Sequence, residues 1–426
     1  MTSSGNQLSQ HSPFSRWFSY DLGQTQIPSA KLGALKDIVY LDSAAATPVD
    51  SRVLSSMLPW MTHIYGNPAN RMHPMGEDAE HGLANARSEI ADCLGVEFNE
   101  VYFCSSATEA NNLVLRGLAQ HPLRKRNKLV ISATEHSSIH TTATSLAPFG
   151  VEVEILPVDE NGQIILETAE KVIDQDTLAV CVMDVNNETG VVQTQLDEVS
   201  HIAKKNGAAL HVDAVQGFAR SHFSSATTPF DTATVSAAKI YAGRGAAALI
   251  VRNRHPKIRL APQMTGGGHE FGLRSGTPNI AAIAGFAHGV RLQVTEREER
   301  LHYLSHLESV FVSSLCGQID ALLSAKRAKR VPGILMFRIP GVNAMKLIEN
   351  CKNLCISSGS ACKTLQATTS HVLKAMGAEE EEALAGFRVS IGIQNTEAEM
   401  KKAADNIATS ALKLRNESAV WDLAKN

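Results

Sequence analysis

From Val101 onward, short apolar and β-branched runs alternate with longer stretches of helical periodicity. The runs are "VYF" at 101, "LVIS" at 129, "VEVEIL" at 151, "LAVCVMDV" at 178, "ALHVDA" at 209 and "AALIV" at 247. Strands separated by helices in this way predict crossover units and an α/β fold, with a mostly parallel sheet covered on both faces. Ahead of them Ala79, Leu83, Ala86, Ile90 and Leu94 recur at helical spacing, and Gly95 ends that helix. The pattern predicts a large domain over 49–296. After it come a long amphipathic stretch from Val290 to Cys316, a basic turn "KRAKR", strand-like "GILMF" and "LCISSG", and two more helices. These predict a smaller α+β domain, formed by 38–48 together with 297–426. Residues 1–37 are rich in Ser, Gln and Pro, lack apolar periodicity, and read as a flexible or loosely docked extension.

Composition narrows the partners. The 426 residues are 44% hydrophobic, enough for a well-covered core, and carry a formal charge of -3. No basic excess is present to neutralise a nucleic-acid backbone, and the run "RKRNK" at 124–128 reads as a solvated loop. No apolar segment approaches the ~18 residues of a membrane span. The seven cysteines are scattered without a C-x-x-C pair, which predicts a reducing, cytoplasmic setting.

In a parallel sheet, ligands sit beyond the carboxyl ends of the strands, so the polar residues there are the candidates. "FCSSATEANN" opens a helix after the strand at 101, which makes Ala107 and Thr108 a possible anion site. "TEHSSIH" contains His136, "DVNNETG" contains Asn187, and "HVDAVQ" places Asp213 and Gln216 at a strand end. His136 and His140 are spaced i, i+4, but no third ligand accompanies them, so no metal site is expected. In "TVSAAKIYAGRG", Lys239 lies among small residues, partly buried and suited to forming a Schiff base. An anion site, a histidine, a carboxylate and such a lysine are the inventory of a pyridoxal phosphate enzyme.

The order of motifs resembles the cysteine desulfurases of pyridoxal-phosphate fold type I, within the class V aminotransferases and closest to the long-loop housekeeping type. It runs from "YLDSAAATPVD" at 40 through "VNNETGVVQ", "AAKIYAGRG" and "GGGHEFGLRSGTPN" to "SSGSACKT" at 357 and "FRVSIG" at 387, about nine-tenths of the chain. The resemblance implies that Lys239 holds the cofactor and then shuttles the substrate's α-proton. It also implies that Asp213 faces the pyridine nitrogen, His136 stacks on the ring, Gln216 meets the ring hydroxyl, and Asn187 orients ring and substrate. The phosphate would rest on Ala107, Thr108 and Ser236, with Thr277 supplied by the second subunit of a homodimer. Arg388 would clamp the carboxylate of L-cysteine. Cys362 would take the sulfur as a persulfide, releasing L-alanine, and pass it to an iron-sulfur scaffold or a tRNA-thiolation protein.

Three positions depart from the family pattern. Ala238 replaces the histidine before the lysine, which removes a cofactor contact of about 1.5–3 kcal/mol. Phe271 and Ile393 stand where the pattern has arginines. The competing expectations are a selenocysteine lyase or another class V β-lyase and, because of Ala238, a non-catalytic scaffold or regulatory paralogue.

Overall fold

The computed structural model describes residues 12–14, 17, 37–359 and 369–417. A first short strand, β1 (Val39–Tyr40), precedes the main sheet. That sheet consists of β2 (Val101–Cys104), β3 (Lys128–Ser132), β4 (Glu152–Leu156), β5 (Thr177–Met183), β6 (Ala209–Asp213), β7 (Thr232–Ser236) and β8 (Ala247–Val251), in the spatial order β2-β8-β7-β6-β5-β3-β4. The pairs β4–β3, β3–β5, β5–β6 and β6–β7 are parallel, as the alternation predicts.

β8 runs antiparallel to both its neighbours. The connection Ala237–Ala246 explains this, because a parallel return needs a crossover of about a dozen residues or more. This one turns back through Gly243 and Gly245, at φ 78 and φ 95. β7 escapes the apolar pattern because its threonines, Thr232 and Thr234, are fully buried.

Helices cover both faces of the sheet. Ser51–Thr62 begins at Asp50, whose carboxylate accepts from the Arg52 amide. Pro74–Leu94 starts with proline in its first turn and ends at Gly95 in the left-handed conformation, φ 67. One core cluster includes Ile90, Val180, Val212 and Phe286, and another includes Leu113, Leu129, Ile139 and Leu249.

The remaining strands are β9 (Leu322–Leu323), β10 (Ile334–Arg338), β11 (Leu354–Cys355), β12 (Ser357–Ser358) and β13 (Gly386–Ser390). They form an antiparallel sheet β12-β13-β10-β9 and a parallel pair β1-β11. The run "LCISSG" is thus divided between two sheets. The amphipathic stretch 290–316 is also divided, into helices Ile280–Thr295 and Arg297–Cys316. The break falls at Glu296, whose carboxylate is gripped by Arg52 at 2.6 Å and Arg300 at 2.8 Å.

Within 1–37, the described residues Ser12, Phe14 and Trp17 are buried. Phe14 and Trp17 are 1% and 8% exposed, and their rings pack 4.6 Å apart. Ser12 Oγ donates to the Ile393 carbonyl at 2.7 Å, and the Arg52 guanidinium lies 3.9 Å above the Trp17 ring. Two isolated aromatics produce no periodic signal, yet each buries a large area against the core that contains Leu304, Phe337 and Ile393.

Candidate active site

The carboxyl ends of β3, β5, β6 and β7 open onto one cavity of about 440 Å³. His136 follows β3, Asn187 follows β5, Asp213 ends β6, and Ser236 ends β7; all four line the cavity. Ala107, Thr108, Gln216, Lys239 and Arg388 line it too.

Asp213 is 5% exposed and held at both oxygens. Asn111 Nδ2 donates to Oδ2 at 2.8 Å, and the Val215 amide donates to Oδ1 at 3.2 Å. Behind Asn111 stands the fully buried His211, with Nε2 3.1 Å from Asn111 Oδ1 and Nδ1 2.9 Å from Thr232 Oγ1. Burial pushes the His211 imidazole down to about 4, so near neutrality it is uncharged. Its Nε2–H then donates to Asn111 Oδ1 and Nδ1 accepts from Thr232, which aims both amide hydrogens of Asn111 away from His211. One of those hydrogens meets Asp213 and the other meets Ser138 Oγ at 2.8 Å. Ser138 in turn fixes His136, because its amide donates to Nδ1 at 3.1 Å. The proton of a neutral His136 ring is therefore on Nε2. Asn111, Ser138 and His211 lie inside the quoted stretches but were not singled out, since the chain that joins them runs through contacts between residues remote in sequence.

Lys239 ends a short 3₁₀ turn, Ala237–Lys239, capped by Ser236. The turn is braced from outside: Thr47 donates to the Ala238 carbonyl from both its amide and its hydroxyl, and Thr47 Oγ1 accepts from the Tyr241 amide at 2.9 Å. Tyr241 is held at φ 63, a conformation costly for a large side chain. The Lys239 amine, half-buried, donates to the Ala45 carbonyl at the cavity wall.

Arg388 lies on β13 and is 5% exposed. Its Nη1 donates to the Asn187 carbonyl at 2.9 Å and its Nη2 to Asp42 Oδ1 at 2.6 Å. Asp42, which sequence reasoning left unassigned inside "YLDS", is thus a second anchor of the site. The Nε of Arg388 and the Oε1 of Gln216 are buried and have no hydrogen-bond partner among the described residues. Gln216 Nε2 donates to the Ala44 carbonyl at 2.9 Å.

Three more carboxyl groups are buried nearby, of which Glu188 lines the cavity. Burial pushes Asp184 up to about 8, with the neighbouring Asp213 carboxylate adding to the shift, and pushes Glu188 up to about 7. Glu135 is raised further, again chiefly by burial.

Two expected residues are elsewhere. Cys362 lies outside the described residues, although Gly359 and Thr369, on either side of it in sequence, both line the cavity. Thr277 is not in the cavity and instead lines a separate recess of about 90 Å³ with Ser105, Gly245 and Asn279.

Residues 39–402 match the model of the aminotransferase class-V family. The chain belongs to the class-V aminotransferase family. Among curated relatives it is 37% identical over 404 residues to the probable mitochondrial cysteine desulfurase of Schizosaccharomyces pombe, covering 95% of this chain and 80% of that one. Among solved structures it resembles a NifS-like protein with TM-score 0.80 and 32% identity, covering 87% of this chain and 98% of that one. It also resembles SspA in complex with cysteine, with TM-score 0.71 and 30% identity over 84% of this chain and 99% of that one.

Within the class-V family, the cavity fits a phosphorylated pyridine cofactor. The N-terminal turn of helix Ala107–Ala119 opens on it beside Ser236, where the first-turn amides of Ala107 and Thr108 suit a phosphate. Lys239 and Asp213 share the cavity, and the unpaired Gln216 Oε1 and Arg388 Nε are polar atoms that a polar ligand can satisfy. Ala238 lines the same wall with only a methyl group. Phe271 and Ile393, the other departures from the family pattern, are structural here. Phe271 is 60% exposed and packs edge-on to Tyr102, whereas Ile393 is buried and its amide donates to Tyr241 Oη.

Proposed function

We propose that this chain is a pyridoxal-phosphate-dependent cysteine desulfurase. Its overall reaction converts L-cysteine and the Cys362 thiol into L-alanine and a Cys362 persulfide. The observation that carries the reading is the meeting of Lys239, Asp213, His136 and Arg388 around one cavity whose wall includes Gly359 and Thr369. Three residues of chain reach at most about 10 Å, and Cys362 is three residues from Gly359.

When bound, the cofactor supplies an electron sink for bond breaking at the substrate's Cα. Lys239 would hold it covalently and, once released, carry the α-proton on its amine. Asp213, fixed by Asn111, would face the ring nitrogen. Ala107, Thr108 and Ser236 would take the phosphate, and Gln216 the ring hydroxyl. His136, with its proton on Nε2, would stack on the ring and donate from that atom. Arg388 keeps N–H groups beyond those committed to Asp42 and Asn187, and these would bind the substrate carboxylate while Asn187 orients it. The Cys362 thiolate would attack the substrate sulfur.

A homodimer in which Thr277 of one copy completes the phosphate site of the other is part of the same reading. Exposed Leu58, Met61, Tyr65 and Met72, with Met264 and Phe271, support it as apolar surface for a second copy. Persulfide acceptors would be an iron-sulfur scaffold or a tRNA-thiolation protein. A cytoplasmic, reducing setting suits the six described cysteines, all of them free. No described helix is long and apolar enough to cross a membrane.

The test is an absorbance spectrum of the purified protein before and after L-cysteine, with alanine and persulfide assayed. A visible band, and alanine formation lost in Cys362→Ala, is the expected result. A colourless protein that stays inert after incubation with pyridoxal phosphate would refute it.

A further inference from the structure

Glu188 has no part in the chemistry derived above, yet it lines the cavity and is 2% exposed. It sits in the turn after β5, where its amide donates to Asn186 Oδ1 at 2.9 Å. Its Oε2 accepts from Ser370 Oγ at 2.5 Å. The Cα of Gly359 approaches the same oxygen, since a Cβ added there would collide with Glu188 Oε2 and with Ser370. Only glycine fits that approach. Gly359 and Ser370 therefore meet beside one carboxylate oxygen. Ser370 is also the N-cap of the helix His371–Ala375, accepting from the Leu373 amide at 3.1 Å.

The charged and titratable groups around Glu188 come from three further elements. His371 Nδ1 stands 4.0 Å from Oε1, while His371 Nε2 is 2.9 Å from the Glu135 carbonyl. Arg388 on β13 and His136 ahead of the helix Ser137–Thr144 both act on it electrostatically. A buried acid in this position is expensive unless its oxygens are used. Here one oxygen is spent on the segment that leads back from Cys362.

We propose that Glu188 is a positioning residue for the sulfur-transfer step, holding Gly359 and Ser370 together so that the chain between them starts and ends at the cavity wall. Holding the two ends of a segment together limits how far any group it carries can stray. The role rests on the reading of Cys362 as the thiol that takes the sulfur. It predicts a defect in turnover and not in substrate capture.

The experiment compares wild type with Glu188→Ala, Glu188→Gln and Gly359→Ala as holoenzymes. Glu188→Ala should lower kcat about tenfold, the scale of losing one hydrogen bond to a charged group, with KM and the spectral change on adding L-cysteine within about twofold of wild type. Glu188→Gln keeps an oxygen for Ser370 and should recover most of the rate. Gly359→Ala should reproduce the kcat loss, and it serves as the second variant if Glu188→Ala fails to fold. In the cofactor-free protein, amide exchange over 369–374 should rise in Glu188→Ala and stay at the wild-type level in Glu188→Gln. A rise in KM with kcat unchanged, or a Gln variant as impaired as Ala, would overturn the proposal. Alanine formation surviving in Cys362→Ala would instead overturn the functional reading on which it rests.

Discussion

Replacing Asp184 with asparagine should make the cofactor-free protein more stable, and increasingly so as the pH rises. Asp184 is 5% exposed, its Oδ1 has no partner among the described residues, and its carboxyl is pushed up to about 8 by burial and by Asp213. Amides of Val185 and Gly217 pull the other way without offsetting this, and Gly217 approaches so closely that a Cβ there would overlap the carboxylate. In the unfolded chain the same group ionises near ~3.9. Between those values the unfolded state has released a proton that the native state retains, so stability falls as pH rises from about 4 to about 8. The slope is about 1.4 kcal/mol per pH unit, which amounts to roughly 4 kcal/mol at pH 7 as an order of magnitude. Asparagine has the same shape, can accept from the same amides, and has no proton to lose. Urea unfolding of wild type and Asp184→Asn at pH 5 and pH 7.5 should show a stability difference that grows by about 3 kcal/mol in favour of the variant. Equal differences at the two pH values would mean that Asp184 is ionised in the native protein, and the picture of a neutral acid beside Asp213 would fall.

Asn111→Ala removes the donor to Asp213 Oδ2 and leaves the buried His211 Nε2 without its acceptor. Cofactor affinity, titrated by absorbance, should fall by about 10- to 100-fold, the worth of one hydrogen bond to a charged group. Arg388→Lys keeps the charge but loses the planar fork, so kcat/KM for L-cysteine should drop by about 100-fold, mostly through KM, in steady-state assays. Phe14→Ala takes a 1%-exposed ring out of the core and should cost about 3–5 kcal/mol in urea unfolding, whereas a freely moving N-terminus would cost nothing.

Which parts of this were legible in the chain follows from how each signal is carried. β3, β5 and β6 announce themselves as apolar runs because strands buried on both faces need continuous apolar side chains. The helix Pro74–Leu94 is marked by its period, its first-turn proline and its terminal glycine, all of which are local. Asp213 and His136 could be singled out because strand ends are where parallel sheets place their chemistry, Lys239 by its small neighbours, and Arg388 only through the family resemblance of "FRVSIG"; the structure does bring the four to one cavity. β7 was hidden because buried threonines carry no apolar signal. The break at Glu296 was hidden because no proline or glycine marks it in the sequence.

The sequence by itself determined the element types, the parallel core of the sheet and the residues able to do chemistry, because periodicity, capping and strand-end polarity act over a few residues. Tertiary structure alone decided which groups became partners. It set Asn111 and His211 behind Asp213, locked Arg388 between Asp42 and Asn187, raised Asp184 and Glu188 by burying them, and drew Gly359 and Ser370 to one oxygen. Each of these depends on distance and dielectric between residues remote in the chain, quantities that exist only once the chain has folded.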